Sequence, residues 1–202
     1  MTKALIGLDI GTSTLTGALF DTGTKKILRL ARRRNDTGIP QTQPTRAEQD
    51  PHCLCQRAFE VLAELAGADH PIGGMIVTGQ MHGLICVAAD GQPLTPLITW
   101  QDRRTAEPLA DGTTTLTRLR KRLAGLDWQD NGCQIEHGYG GATLFWLARQ
   151  SKLAPATRGV CSVAHWLAGQ LTGQPPACDP SLAASWGIYD IVHRTWNGVF
   201  LN

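Results

Sequence analysis

The chain has 202 residues, 42% hydrophobic and 18% charged, with 19 Lys and Arg against 17 Asp and Glu for a net charge of +2. That is enough chain to bury a substantial core, and so even a balance gives no electrostatic case for nucleic acid; clusters such as Arg32-Arg33-Arg34 are too short to make one. No apolar run approaches the roughly 18 residues that span a bilayer, and Gly7 and Asp9 interrupt the opening segment, unlike a secretory signal, so a cytoplasmic protein without a membrane partner is expected.

Ala4–Ile10, Leu15–Asp21 and Lys26–Ala31 read as three strands joined by the turns Gly11-Thr12-Ser13-Thr14 and Thr22-Gly23-Thr24, an antiparallel meander. Gln41 to Glu48 is polar and contains Pro44, so a loop is expected. Asp50 and Pro51 suit the cap and first position of a helix, and Leu54, Ala58, Val61, Leu62 and Leu65 recur at helical spacing until Gly67. Two further apolar runs, Ile72–Thr78 and Leu84–Ala88, flank Gly79-Gln80-Met81-His82-Gly83. A turn at Asp90-Gly91 leads to another short strand between Pro93 and Trp100.

Beyond Gln101 the pattern becomes mostly helical, with helices predicted over Asp102–Leu109, Thr115–Ala124, Ala142–Gln150 and Val163–Leu171. The tail from Leu182 to Val192 returns to strand-like residues. Three antiparallel strands, a crossover helix and further strands make an α/β protein with a mixed sheet and flanking helices. The six cysteines have no Cys-x-x-Cys spacing, and Cys53 and Cys55 fall on different faces of a predicted helix. Free thiols are expected, and no metal site built on them.

Three segments carry chemistry. In Leu8-Asp9-Ile10-Gly11-Thr12-Ser13 an acidic residue ends a buried strand and is followed by Gly and hydroxyl residues in a tight turn. Gly allows phosphate oxygens close to the backbone, N–H and hydroxyl groups donate to them, and the Asp would hold Mg²⁺ through water. A plain β-hairpin turn needs the same Gly and Thr, and neither nucleotide-binding glycine signature, G-x-x-x-x-G-K-[ST] or G-x-G-x-x-G, occurs. The second segment sets Gln80, Met81 and His82 between glycines at a sheet edge; Gln and His each donate and accept, which suits hydroxyl recognition, although a single His is often structural. The third, Thr99-Trp100-Gln101-Asp102-Arg103-Arg104, joins an indole face to carboxylate and guanidinium groups. That mixture suits a sugar, and equally a helix start with a solvated basic face.

Taken in order, Gly7-Leu8-Asp9-Ile10-Gly11-Thr12-Ser13, Glu48-Gln49-Asp50-Pro51, Gly79-Gln80-Met81-His82-Gly83 and Trp100-Gln101-Asp102-Arg103 resemble the N-terminal domain of the FGGY carbohydrate kinases, which include glycerol kinase, xylulokinase, ribulokinase and sedoheptulokinase. Gly138 to Trp146 and Ala183-Ala184-Ser185-Trp186-Gly187 most resemble the sedoheptulokinase branch. The resemblance runs from residue 5 to about residue 197.

It implies a ribonuclease H-like fold of the actin/hexokinase kind and transfer of the γ-phosphoryl group of MgATP to a sugar hydroxyl. By that resemblance Asp9 acts on Mg²⁺ and the phosphates, Gly11, Thr12, Ser13 and Thr14 form the phosphate hairpin, and Gln80, Met81, His82, Trp100 and Arg103 lie along the sugar site, with Asp102 less strongly implied. Residues 1–202 would be the sugar-binding half. The nucleotide-binding C-terminal domain and the Asp that serves as general base are not in this sequence, and Asp179, Asp190 and His165 read as structural. This chain alone is expected to be inactive, and an exposed surface facing the second domain would favour a homo-oligomer. A seven-carbon ketose such as sedoheptulose is the preferred substrate, with xylulose next. A non-catalytic sugar-binding module and an actin-like structural ATPase are the rival classes, and the sugar-site segments argue against the latter.

Overall fold

The computed structural model describes residues 3–66, 70–125 and 132–200. Ala4–Ile10 (β1), Thr14–Asp21 (β2) and Lys26–Arg34 (β3) form the expected meander, with Asp9 opposite Thr16 and Gly17 opposite Ala31. Period-two alternation sends Ala4, Ile6, Leu8, Ile10, Leu15 and Leu19 to one buried face and leaves Gly7 and Asp9 on the other. The chain then passes through Glu48–Gln49 (β4) and the helix Pro51–Ala66 (α1) to Ile72–Gly79 (β5), which pairs parallel to β1. A parallel neighbour requires such a long crossover, and the sheet order is β3-β2-β1-β5. This is the ribonuclease H-like opening that the resemblance implied.

Helix α1 begins where its cap dictates, for Asp50 Oδ1 accepts from His52 N at 2.8 Å and Cys53 N at 3.1 Å. The expected stripe of Leu54, Ala58, Val61, Leu62 and Leu65 is buried against β1 and β2. Each fully buried Leu contributes about 1.5–3 kcal/mol, so this seam fixes the crossover on one side of the sheet. Gly67, the expected helix end, lies outside the described residues.

The remaining elements are Ile85–Val87 (β6), Leu97–Ile98 (β7), Thr115–Leu123 (α2), Gly140–Arg149 (α3), Gly159–Cys161 (β8), Val163–Thr172 (α4), Pro180–Ala184 (α5), Tyr189–Asp190 (β9) and Thr195–Trp196 (β10). β4 pairs with β7 and β6 with β8, both antiparallel. Val163, Trp166 and Leu167 of α4 join the core between sheet and α1. A second core gathers Leu116, Leu119, Trp146, Leu147 and Trp186 around α2 and α3. All six cysteines are free thiols, and burial pushes Cys161 up to about 12. No helix among the described residues is long and apolar enough to cross a membrane.

Two expectations are corrected. Asp102–Leu109 is not a helix; only a single 3-10 turn forms, over Arg104–Ala106. Pro108 forces the residue before it out of the helical region, and Glu107 is extended at ψ 135°. The tail is not strand from Leu182, because Asp179 and Pro180 open the short α5. Asp179 Oδ1 accepts from Ser181 N at 2.9 Å and Leu182 N at 3.2 Å, and only Tyr189–Asp190 and Thr195–Trp196 pair as strands. The loop expected over Gln41 to Glu48 gives up its last residue to β4.

Candidate active site

The ends of β1 and β5 lie side by side, and the chain leaving each carries a predicted site segment. Carboxyl ends of adjacent parallel strands are where open α/β sheets place ligands. Between β1 and β2, Gly11 N–H donates to Thr14 O at 3.0 Å, closing the hairpin, and a Cβ on Gly11 would stand 2.7 Å from that oxygen. The close approach is why Gly is required there. Asn35 clamps the turn, donating from Nδ2 to Gly11 O at 2.8 Å and from its backbone N–H to Ser13 O at 2.9 Å. Asp9 is exposed on the sheet face opposite α1, in register with Thr16 and Thr78, and its carboxylate has no hydrogen-bond partner among the described residues.

Gln80 continues the ladder, donating from its backbone N–H to Ile10 O at 2.9 Å. Its side chain is buried, with Nε2 donating to Gln49 Oε1 at 2.7 Å, while Gln49 Nε2 donates to Thr12 O at 3.3 Å. A backbone carbonyl only accepts, so this chain fixes both amide orientations and leaves Gln80 Oε1 buried without a partner among the described residues. Met81 is 48% exposed and Trp100 40% exposed, and Trp100 Nε1 donates to Thr12 Oγ1 at 3.0 Å. That bond ties the aromatic wall directly to the hairpin. His82 has a positive φ of 70°, and its ring stacks on Tyr139 with centroids 4.2 Å apart and planes at 8°.

Arg103 is exposed and spans the rim, its Nη1 donating to Trp100 O at 3.2 Å and His137 O at 3.3 Å. Burial and the Arg103 charge together depress the His137 pKa. Asp102 parts company with its neighbours. It is 1% exposed, and its oxygens accept from Ala47 N, Arg104 N, Arg104 Nε and Arg104 Nη2. Arg104 also pairs with Glu48 and lies over the Trp146 ring, 5.3 Å from its centroid. Asp102 therefore anchors the segment behind the site, locking the loop before β4 to the chain that carries Trp100.

Gly138 packs against this wall. Its φ is +79°, and a Cβ there would fall 2.0 Å from Trp100 O, a backbone atom that cannot move aside alone. Gly138→Ala is expected to cost more than the roughly 1–3 kcal/mol of a strained left-handed backbone, because the overlap adds to it. The check is the urea midpoint: a variant as stable as the parent would mean that the contact is not held in solution.

The structure thus brings Asp9, Gly11–Thr14, Met81, His82, Trp100 and Arg103 to one open wall, with the buried Gln80 side chain beneath it and Asp102 behind it. Concavities of about 240 and 250 Å³ lie elsewhere, one lined by Arg118, Arg122, Phe145 and Arg149, the other by Gly91, Gln170 and Pro176. Sequence reasoning missed Asn35, Gln49, Tyr139 and Ser185 as site-supporting residues. Gln49, Tyr139 and Ser185 all lie within segments that carried the resemblance, which was the available signal. His165 and the two late aspartates are structural, as expected. His165 meets Ser162 Oγ at 2.9 Å and Asp179 Oδ2 at 2.8 Å, and Asp190 caps the turn before His193. Burial pushes the Asp179 carboxyl up, but hydrogen bonds from Ser181 and His165 outweigh it and hold it at about 2.

Among known proteins, the chain is 26% identical to a sedoheptulokinase from Mus musculus over 95% of its own length and 43% of that protein's. It is 31% identical to a glycerol kinase from Variovorax paradoxus over 98% of its length and 40% of the relative's. A crystal structure of xylulose kinase from Rhodospirillum rubrum superposes with a TM-score of 0.79 at 26% identity, covering 98% of this chain and 40% of that one. Gluconate kinase from Lactobacillus acidophilus superposes with a TM-score of 0.85 at 24% identity, which speaks to the fold, of the actin/hexokinase kind. The chain spans about two fifths of the length of the relatives it matches. The family model for the N-terminal domain of the FGGY family of carbohydrate kinases matches residues 4–202, and the chain belongs to that family.

Proposed function

We propose that residues 1–202 are the sugar-binding half of a two-domain kinase that transfers the γ-phosphoryl group of ATP to a hydroxyl of a ketose. The observation that carries this reading is the tether between Trp100 Nε1 and Thr12 Oγ1, which joins a sugar-sized aromatic wall to a Gly-Thr-Ser hairpin beside Asp9, whose carboxylate is unpartnered among the described residues. Phosphoryl transfer needs chiefly positioning and charge neutralisation, and this wall offers both at adjacent points.

A free, exposed carboxylate next to turn N–H groups is the donor set a hydrated Mg²⁺ takes, since Mg²⁺ keeps most of its waters and binds through one or two carboxylates and the phosphates. Asp9 would hold that ion, which when bound neutralises charge on the transferred phosphoryl group. The backbone N–H and hydroxyl groups of Thr12 and Ser13, with the Thr14 hydroxyl, would donate to phosphate oxygens. The C–H face of the sugar would pack on the Trp100 indole while Gln80, His82 and Arg103 take its hydroxyls. The match to sedoheptulokinases over nearly the whole chain favours sedoheptulose among the ketoses. The second domain would supply the adenosine pocket and the general base.

The test is ketose titration of the purified chain, followed through the Trp100 indole N–H resonance. Sedoheptulose is expected to shift that resonance saturably. Trp100→Ala is expected to weaken ketose binding, measured by calorimetry, by about 1–3 kcal/mol. Equal ketose affinity in parent and variant would refute the placement of the sugar.

A further inference from the structure

Three contacts hold His82, and the one made by its ring Nδ1 determines which nitrogen donates. Its backbone N–H donates to Ser185 Oγ at 3.2 Å, and that hydroxyl donates onward to Leu182 O at 2.7 Å, so its lone pair faces His82. Ring Nδ1 lies against the backbone carbonyl of Ser185 in a short hydrogen bond. A carbonyl oxygen has no proton to give, so Nδ1 is the donor. The third contact is the parallel stack on Tyr139, with centroids 4.2 Å apart, which blocks rotation of the ring away from Ser185. Ser185 itself is 6% exposed at the end of α5, and His82 sits at φ 70°, a conformation uncommon for a residue with a side chain. Nε2 is the one ring nitrogen without a partner among the described residues.

We propose that Ser185 and Tyr139 are positioning residues that fix His82 as the Nδ1–H tautomer, so that its Nε2 lone pair accepts a hydrogen bond from a ligand hydroxyl. The bond made at one ring nitrogen sets the state of the other. An acceptor nitrogen at this point favours a hydroxyl group and rejects a carboxylate or carbonyl oxygen, which would face it lone pair to lone pair. The proposal rests on the sugar-kinase reading for the identity of the ligand, but the tautomer is a property of the chain by itself. It also explains why the segments around Tyr139 and Ser185, far from the phosphate hairpin in sequence, belong to the site.

The experiment is long-range nitrogen–proton correlation NMR on the ¹⁵N-histidine-labelled chain, with sedoheptulose and xylulose as the probes. Without sugar, His82 Nδ1 is expected in the protonated range and Nε2 in the unprotonated range; the reverse assignment overturns the proposal. With sugar, Nε2 is expected to move as it accepts a bond while Nδ1 stays. A sugar that moves the Trp100 indole but leaves His82 Nε2 unchanged overturns the acceptor role and spares the kinase reading. A chain in which neither sugar moves Trp100 or His82 overturns the ketose reading and the acceptor role with it. Tyr139→Phe should keep the parent tautomer and Tyr139→Ala should give a mixture of both, a difference that a purely structural role for Tyr139 would not produce. His82→Asn can keep a donor toward Ser185 while leaving no acceptor at the position of Nε2, and ketose affinity is expected to fall about tenfold. An unchanged affinity in that folded variant would count against the assignment.

Discussion

Asp9→Asn is expected to lower kcat of the two-domain enzyme by about 10²–10³-fold, the range for removing one preorganised charge contact from a transition state. Asn keeps the size and one acceptor oxygen of Asp9 but loses the charge that a hydrated Mg²⁺ needs. Charge on the transferred group must be neutralised chiefly in the transition state, so the loss should fall on kcat, with sugar affinity changed less than about twofold. The local fold should survive, because the carboxylate is exposed and makes no hydrogen bond to the protein among the described residues. Steady-state kinetics alongside sugar titration decides the matter. A kcat near that of the parent would remove Asp9 from the chemistry, and a lost sugar affinity with intact kcat would move it to the other side of the site.

The second large effect concerns the chain by itself: the purified 202 residues are expected not to turn over. On the proposed reading this wall would supply a metal-holding carboxylate, a phosphate hairpin and a sugar face. All of them are open to water, with Asp9, Ser13, Thr14, Met81, Trp100 and Arg103 exposed. Holding nucleotide in line with the sugar is worth the equivalent of about 10⁵–10⁸ M in effective concentration, and a positioned general base about 10²–10⁴-fold. Neither is offered by the side chains gathered here. Asp102 is sealed against Arg104, and Asp179 and Asp190 are engaged in capping. A coupled ADP-release assay with millimolar sedoheptulose or xylulose should therefore read background. Turnover on the order of 1–100 per second, ordinary for kinases, would show that the wall is a complete enzyme.

Much of the scaffold was legible in the chain. The apolar runs Ala4–Ile10 and Leu15–Asp21, with the Gly-containing turn between them, marked the first hairpin, because short apolar segments punctuated by turn residues favour strands; which face each residue takes was seen only in the structure. Asp50 and Pro51 marked the start of α1, since capping chemistry is local, and the Leu54 to Leu65 stripe marked its buried face. Where local signals met a tertiary competitor they failed. The helical pattern over Asp102–Leu109 lost to Pro108 and to the four donors that claim the Asp102 carboxylate, one of them, Ala47 N, lying 55 residues away.

The candidate site divides along the same line. Asp9, Gly11, Gln80, His82 and Trp100 could be singled out from the chain because their residue types suit phosphate and hydroxyl groups and their order carries the resemblance. Their partners could not. Gln49 reaches Gln80 across 31 residues, Trp100 reaches Thr12 across 88, and Ser185 reaches His82 across 103. Hydrogen bonds over such separations depend on how α1 folds back on the sheet and how α5 ends beside β5, which no local spacing encodes. The sequence by itself determined which groups are candidates to touch a sugar and a phosphate. The tertiary structure decided which of them are free to do so, because a buried polar atom takes whatever partner the packing brings within about 3 Å, and only the atoms left over face a ligand.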